Sequence, residues 1–330
     1  MIRHNDGPID GIEQRKLADL AESARLQSSR ESKAWSSTIL LPENRGEQQR
    51  IVRFVLKPGM WRKPRLVLCG NYVEDKWSVS FNSGPLRQVH RVDSELCKFL
   101  DTLENADHCA SDDAMLCIHL PFAQENEISL PPPCAPDCIE FDFHELIDTS
   151  DVALLVDTEQ NSDSHSTVDS RIEKQIVSFQ TEKTFMRYDS NGIGSISTHF
   201  SHLGNCLLIH VDGGDAGVQE TAFDEIKLFF TKANDPTKEI LFVSADAEAI
   251  AIKGQPGWFA LPMSAEQPQD VLNEQTQSTN NTLSASQCDN LRVEFSTNDH
   301  ADKTVVLSLY WRHYNIQRVQ NGTKGPVFVV

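Results

Sequence analysis

The stretch TVVLSLYWRHYNIQRVQNGTKGPVFV, Thr304–Val329, carries the clearest pattern in the chain. Val305, Leu307, Leu309 and Trp311 share one parity and Ser308, Tyr310 and Arg312 the other, the period-2 alternation of a half-buried strand. The apolar set then passes to Tyr314 and Ile316, a change of parity that predicts a β-bulge or sharp bend near His313. Gly322 and Gly325 mark a turn, and Val327 and Phe328 follow as a last short apolar segment.

The same alternation recurs upstream as far as Trp35. Val52, Phe54 and Leu56 alternate with Arg53, Val55 and Lys57, Trp77, Val79 and Phe81 with Ser78 and Ser80, and Ile139, Phe141 and Phe143 with Glu140, Asp142 and His144. Ser94 to Glu104 is the one helical candidate in this half. A second series runs from Val152 through Gln175–Gln180, Asn205–Val211, Ile226–Phe230, Ile240–Val243, Gly257–Met263 and Leu291–Phe295. Ser264 to Asp289, rich in Gln, Asn, Ser and Thr, reads as an exposed loop. About sixteen strands result, twice the number in one eight-stranded jelly roll. The expected fold is all-β, two tandem eight-stranded jelly-roll sandwiches over 35–147 and 148–330. Residues 1–34 are expected to form an N-terminal arm, helical or disordered, with Leu17, Leu20, Ala21 and Ala24 as a thin apolar stripe behind Asp10.

The 330 residues include 30 basic and 48 acidic side chains, a net charge of −18. That charge opposes contact with phosphate backbones and anionic headgroups, so direct nucleic-acid binding and membrane insertion are not expected. No apolar run reaches the 18 residues of a membrane-spanning helix, and Met1–Gly11 lacks a signal-peptide layout. Eight cysteines in a chain of this character read as reduced thiols. Cys134 and Cys138, in a proline-flanked loop, could chelate a metal or form a local disulfide, but no second pair completes four ligands.

His199, His202, Cys206 and His210 fall within twelve residues and could serve a metal-dependent bicupin-type enzyme. On a strand, only Cys206 and His210 share a parity. Asp212–Gly217 is glycine-rich, but its aspartates repel phosphate and no Lys-Ser/Thr pair follows. Trp35, Trp61, Trp77, Trp258 and Trp311 could stack on a glycan, although strand tryptophans are normally core. No nucleophile elbow and no acid–base pair is evident. Asn280 and Asn321 begin sequons that a cytosolic protein leaves unused.

The run His313, Tyr314, Asn315, Ile316, Gln317, Arg318, Val319, with Gly322, Gly325, Val327 and Phe328 after it, resembles the ending of the double jelly-roll capsid proteins of nucleocytoplasmic large DNA viruses. Three further pieces fall in that family's order. They are Ser286, Asp289, Asn290 and Leu291; Phe259-Ala260-Leu261 with Gln267-Pro268; and Leu120-Pro121-Phe122 with Leu130-Pro131 ahead of Ile139–Phe143. His313, Lys324 and Cys288 depart from the family pattern, and the chain is short for a major capsid protein. The resemblance implies a non-enzymatic virion protein without cofactor, made in the host cytoplasm. It would form homotrimers of pseudo-hexagonal outline that tile an icosahedral shell beside neighbouring capsomers or minor capsid proteins. Tyr314, Asn315, Arg318, Gly322, Gly325, Asp289 and Asn290 would then be architectural, shaping the link between the last two strands.

Overall fold

A computed structural model describes residues 3–4, 35–69, 76–83, 88–104, 115–122, 127–129, 136–159, 172–212, 223–232, 235–264, 272, 282–284, 288–298, 304–320 and 323–326. They fall into two compact units. Residues 35–178 and 316–326 form one, and residues 3–4 and 179–315 form the other.

In the first unit eight principal strands follow one another: Trp35–Leu40, Gln48–Val55, Gly59–Cys69, Ser78–Ser83, Gln88–Asp93, Met115–His119, Cys138–Asp148 and Val152–Glu159. One sheet arranges them first, eighth, third, sixth, and the other second, seventh, fourth, fifth. All pairs are antiparallel, and Glu127–Ser129 extends the third strand's edge. This order is the two-Greek-key wiring of a jelly roll. Alternation dictates which faces meet: Phe54, Ile139, Phe141 and Phe143 are buried. Their neighbours turn to solvent, where Arg53 pairs with Glu140 and Arg50 with Asp142, each at 2.7 Å. Edge-on rings fill the core, with Phe54 and Trp77 both against Phe141 and Trp61 against Phe81.

The helix Ser94–Glu104 joins the fifth and sixth strands, as its sequence predicts. The Leu96 amide donates to Asp93 Oδ1 at 2.9 Å, which caps its first turn. Its buried side holds Leu96, Cys97 and Phe99. One turn on, the buried Asp101 accepts from the His119 amide at 3.1 Å and meets His119 Nδ1 at 2.7 Å, tying helix to strand.

The first roll extends beyond residue 147, where the sequence reading placed its end. Val152–Glu159 pairs with both Trp35–Leu40 and Gly59–Cys69, so it is the eighth strand of the first roll. The polar run Asp148–Asp151 is a connection inside one sandwich. The Ser150 amide donates to Asp148 Oδ1 at 2.8 Å, and the buried Thr149 hydroxyl donates to the Asn44 carbonyl at 2.6 Å. A boundary and a tight turn share this composition, which is why the two were indistinguishable in sequence.

The second roll repeats the plan with Ile172–Arg187, Ile193–Thr198, Leu203–Asp212, Glu225–Lys232, Asp235–Asp246, Trp258–Pro262, Cys288–Ser296 and Thr304–Gln320. Its sheets again run first, eighth, third, sixth and second, seventh, fourth, fifth. Phe223, Phe259, Phe295, Leu309 and Trp311 belong to one continuous core. The turn from the first strand to the second is closed by Asp189, whose Oδ1 accepts from the Asn191 and Ile193 amides, both at 2.9 Å. Arg3–His4 adds a short strand beside Asp235–Asp246, with Arg3 opposite Ser244 and His4 opposite Val243. The expected arm helix, Cys134, Gly213–Gly217, both sequon asparagines and most of 264–289 lie outside the described residues.

Candidate functional site

The segment that decided the fold is one strand, Thr304–Gln320, followed by Thr323–Pro326, which folds back on it from Gln317 opposite Pro326 to Gln320 opposite Thr323. Thr304–Gln320 is thus the eighth strand of the second roll itself, and the glycine-punctuated end is a hairpin attached to it. The expected irregularity near His313 is present, but the extra residue belongs to the neighbouring strand. His313 faces Gly204 and Arg312 faces Cys206, so Asn205 bulges out between them.

The bulge lets a polar cluster close over the strand. Asn205 Nδ2 donates to Tyr314 Oη at 2.7 Å, and Arg312 Nη1 reaches the same oxygen at 3.5 Å with its guanidinium 5.8 Å from the Tyr314 ring. The His202 and His313 rings stack with centroids 4.9 Å apart, and Phe200 stacks on Trp311 at 5.7 Å. Arg312, His313, Tyr314 and Asn315 are all buried. The parity change in the sequence therefore marks a stretch covered on both faces.

Gly204 allows this packing, because a β-carbon there would lie 2.1 Å from the Trp311 ring. His202 holds a left-handed backbone, φ +68°, which a non-glycine residue adopts only under constraint from its surroundings. Burial lowers the His202 pKa and favours the neutral ring. Burial also pushes the Cys206 thiol up to about 12, with Arg312 acting in the opposite sense, so Cys206 is not a thiolate at neutral pH. Such an arrangement positions a strand and supplies no activated nucleophile.

The predicted site residues divide among separate places. Tyr314 and Asn315 are in the cluster, and half-buried Arg318 lies opposite Gly325 in the hairpin. Gly322 lies outside the described residues. Asp289 and Asn290 are on Cys288–Ser296, in the other sheet of the second roll, with Asn290 opposite Thr231. Sequence reasoning missed Asn205 and Gly204 and read His202 as a candidate metal ligand. The only signal of the missed pair was a glycine beside an asparagine just inside a strand pattern.

The metal reading finds no support in the placement of its ligands. His202 packs on His313, His210 stacks on Trp258 at 4.4 Å, Cys206 is in the interior and His199 is exposed. No group of three His, Cys, Asp or Glu among the described residues could hold a metal ion. Trp61, Trp77, Trp258 and Trp311 are buried, while Trp35 is partly covered with the Arg62 guanidinium 4.2 Å from its ring. Cys138 is partly buried, and burial raises its thiol to about 12.

No family model matches the sequence, and no curated protein matches it. Solved structures do. VP54 of PBCV-1, as fitted into a reconstruction of the virophage Sputnik, aligns with 11% identity and a TM-score of 0.58 over 91% of this chain and 98% of VP54. The major capsid protein of Sulfolobus Turreted Icosahedral Virus aligns with 9% identity and a TM-score of 0.53 over 85% and 96%. The Faustovirus major capsid protein aligns with 5% identity and a TM-score of 0.52 over 92% and 97%. Both rolls of this chain are matched, in order and over nearly the whole of each relative. The strand wiring and these alignments together establish that the chain has the double jelly-roll fold.

Proposed function

We infer that this protein is a viral capsid subunit that self-assembles, as trimers of pseudo-hexagonal outline tiling an icosahedral shell. The observation that carries the reading is the match of two consecutive jelly rolls to major capsid proteins over 85–92% of the chain. Three copies of a two-roll subunit place six similar sandwiches around one axis, and closed rotational symmetry buries self-complementary surfaces. Its partners are then other copies of itself and neighbouring capsid proteins, its place is the virion, and assembly occurs in the host cytoplasm. The net charge of −18 supports a shell role without direct contact with nucleic acid.

The test is the oligomer. Purified protein should give trimers by light scattering and a pseudo-sixfold outline in negative-stain images. A strict monomer at high concentration under all salt conditions would sink the reading.

A further inference from the structure

We propose that Asn191-Gly192 is a site of spontaneous covalent modification, conversion of the Asn191 side-chain amide to aspartate or isoaspartate, and that the folded turn around Asp189 holds the reaction off. The proposal does not depend on the capsid reading.

The chemistry begins with the dipeptide, which occurs in the sequence at 191–192 and at 321–322. A glycine after asparagine leaves the next backbone nitrogen without a side chain to shield it. The Gly192 nitrogen bonds to the side-chain carbonyl carbon of Asn191, the bond from that carbon to Nδ2 breaks, and ammonia leaves with the proton that Gly192 gives up. Water then opens the cyclic imide at one carbonyl or the other, giving aspartate or isoaspartate. Water is the only co-reactant, and Asn191 is exposed to it.

The turn occupies both reacting groups. Asp189 Oδ1 accepts from the Asn191 and Ile193 amides, both at 2.9 Å. Hydrogen bonds from the Ile193 amide, the Asn191 amide and the Asn191 side chain keep the Asp189 carboxyl below its ordinary range, so the amide that must be attacked is drawn to Asp189. The attacking nitrogen is engaged as well, because the Gly192 amide donates to the Asp189 carbonyl at 3.0 Å. The Gly192 carbonyl in turn accepts from the Thr297 amide at 2.9 Å, with Gly192 at φ +72° and the Thr297 carbonyl oxygen filling the space where a β-carbon would be. Attack needs nitrogen and carbon aligned within roughly 3–3.5 Å, so this turn must open before the bond can form.

Modification and fold are then mutually exclusive. Isoaspartate adds one carbon to the main chain between residues 191 and 192. That addition displaces the Gly192 carbonyl from Thr297 and offsets Ile193–Thr198 from its register with Cys288–Ser296. Met186 and Tyr188 are buried before the turn and Ile196 after it, so the offset reaches the core. The modification marks chains that have spent time open and makes them unfit to close again.

The experiment uses the full-length protein in warm neutral buffer, folded or in guanidinium chloride. Timed samples are digested and mapped by mass spectrometry, which reads the mass gained when NH2 is exchanged for OH. Asn44-Arg45, exposed but without the glycine, is the internal reference. In guanidinium chloride Asn191 should convert faster than Asn44 and at a rate close to that of Asn321. In the folded protein Asn191 should convert at least about tenfold more slowly than in guanidinium chloride, because opening must come first. Asp189→Ala, with its fold checked by circular dichroism, should raise the folded rate by roughly fivefold, and Asp189→Asn, which keeps an acceptor oxygen, should leave it near wild type. If Asp189→Ala does not fold, Asp189→Glu, which moves the carboxylate away from both amides, takes its place. Conversion of Asn191 no faster than Asn44 in guanidinium chloride overturns the reactive pair. Equal rates in the folded and unfolded protein overturn the protection, and a folded Asp189→Ala or Asp189→Glu protein that converts like wild type overturns the role of Asp189.

Discussion

Gly204 faces His313 across the strand pair, and the space where its side chain would be is occupied by the Trp311 ring. Trp311 is fully buried and stacked on Phe200, so it has nowhere to retreat. Gly204→Ala should therefore destabilise the protein by about 1–3 kcal/mol in urea unfolding, the range of an overpacked core. Gly254 provides the contrast, because its φ of +78° is left-handed but nothing lies within 4 Å of a β-carbon there. Gly254→Ala should cost only the backbone penalty of about 1–2 kcal/mol, without the core rearrangement that a near-ultraviolet spectrum would report for Gly204→Ala. His202 makes a pH prediction at the same scale. Its folded-state pKa is lowered from 6.5 by burial, so below pH 6.5 the unfolded chain takes up the proton first. Stability should then fall as pH drops from 6.5 towards the folded-state value, with no change from this group above 6.5. His202→Asn keeps a residue that tolerates the left-handed backbone and removes the titration. The stability difference between pH 7 and pH 5 should shrink in this variant, and an unchanged difference would show that His202 does not drive it.

Among the elements, the helix Ser94–Glu104 is tied to a neighbouring strand through one carboxylate. Asp101 Oδ1 takes both the amide and Nδ1 of His119 from the strand Met115–His119. Asp101→Ala should cost about 1–3 kcal/mol, the usual range for removing a buried acceptor, whereas Asp101→Asn, which keeps an acceptor oxygen, should cost less. Hydrogen exchange should locate the loss in helix 94–104, with the sheet Gln48–Val55 and Cys138–Asp148 unaffected. Elements of this kind were legible in sequence because alternation and capping are local. Ser94–Glu104 was read to the residue, and Val52–Phe54 and Ile139–Phe143 were assigned to their correct faces. What the sequence could not show was long-range partnership. Val152–Glu159 opened a new series by pattern, yet its partners lie far earlier in the chain, at Trp35–Leu40 and Gly59–Cys69. The bulge illustrates the same limit at finer grain: the parity change was visible in Tyr314 and Ile316, but its cause, Asn205, sits on another strand. The polar cluster was partly legible for that reason: Tyr314 and Asn315 were singled out, His202 was read as a metal ligand, and Asn205 gave no signal of its own.

For the whole molecule, charge opposes the association that the proposed function requires. The proposed shell role would require copies to pack side by side, while each copy brings a net charge of −18 carried by residues 35–330. Repulsion between such bodies extends over a Debye length, about 30 Å at 10 mM salt and about 3 Å at 1 M. Apolar contact across an interface acts only at close range and is not weakened by screening. Self-association at fixed protein concentration and neutral pH should therefore strengthen as salt rises from about 10 mM to about 1 M, as read by static light scattering. Lowering the pH towards the sequence pI of about 5.0 should act in the same direction, because protonation of surface carboxylates removes the same repulsion. The opposite salt response, dissociation as screening increases, would mean that complementary charges hold the subunits together. In that case the acidic bodies must meet basic surfaces on a partner, and the neutral segment 1–34 with its Arg3, Arg15, Lys16, Arg25, Arg30 and Lys33 would be the first place to look for them.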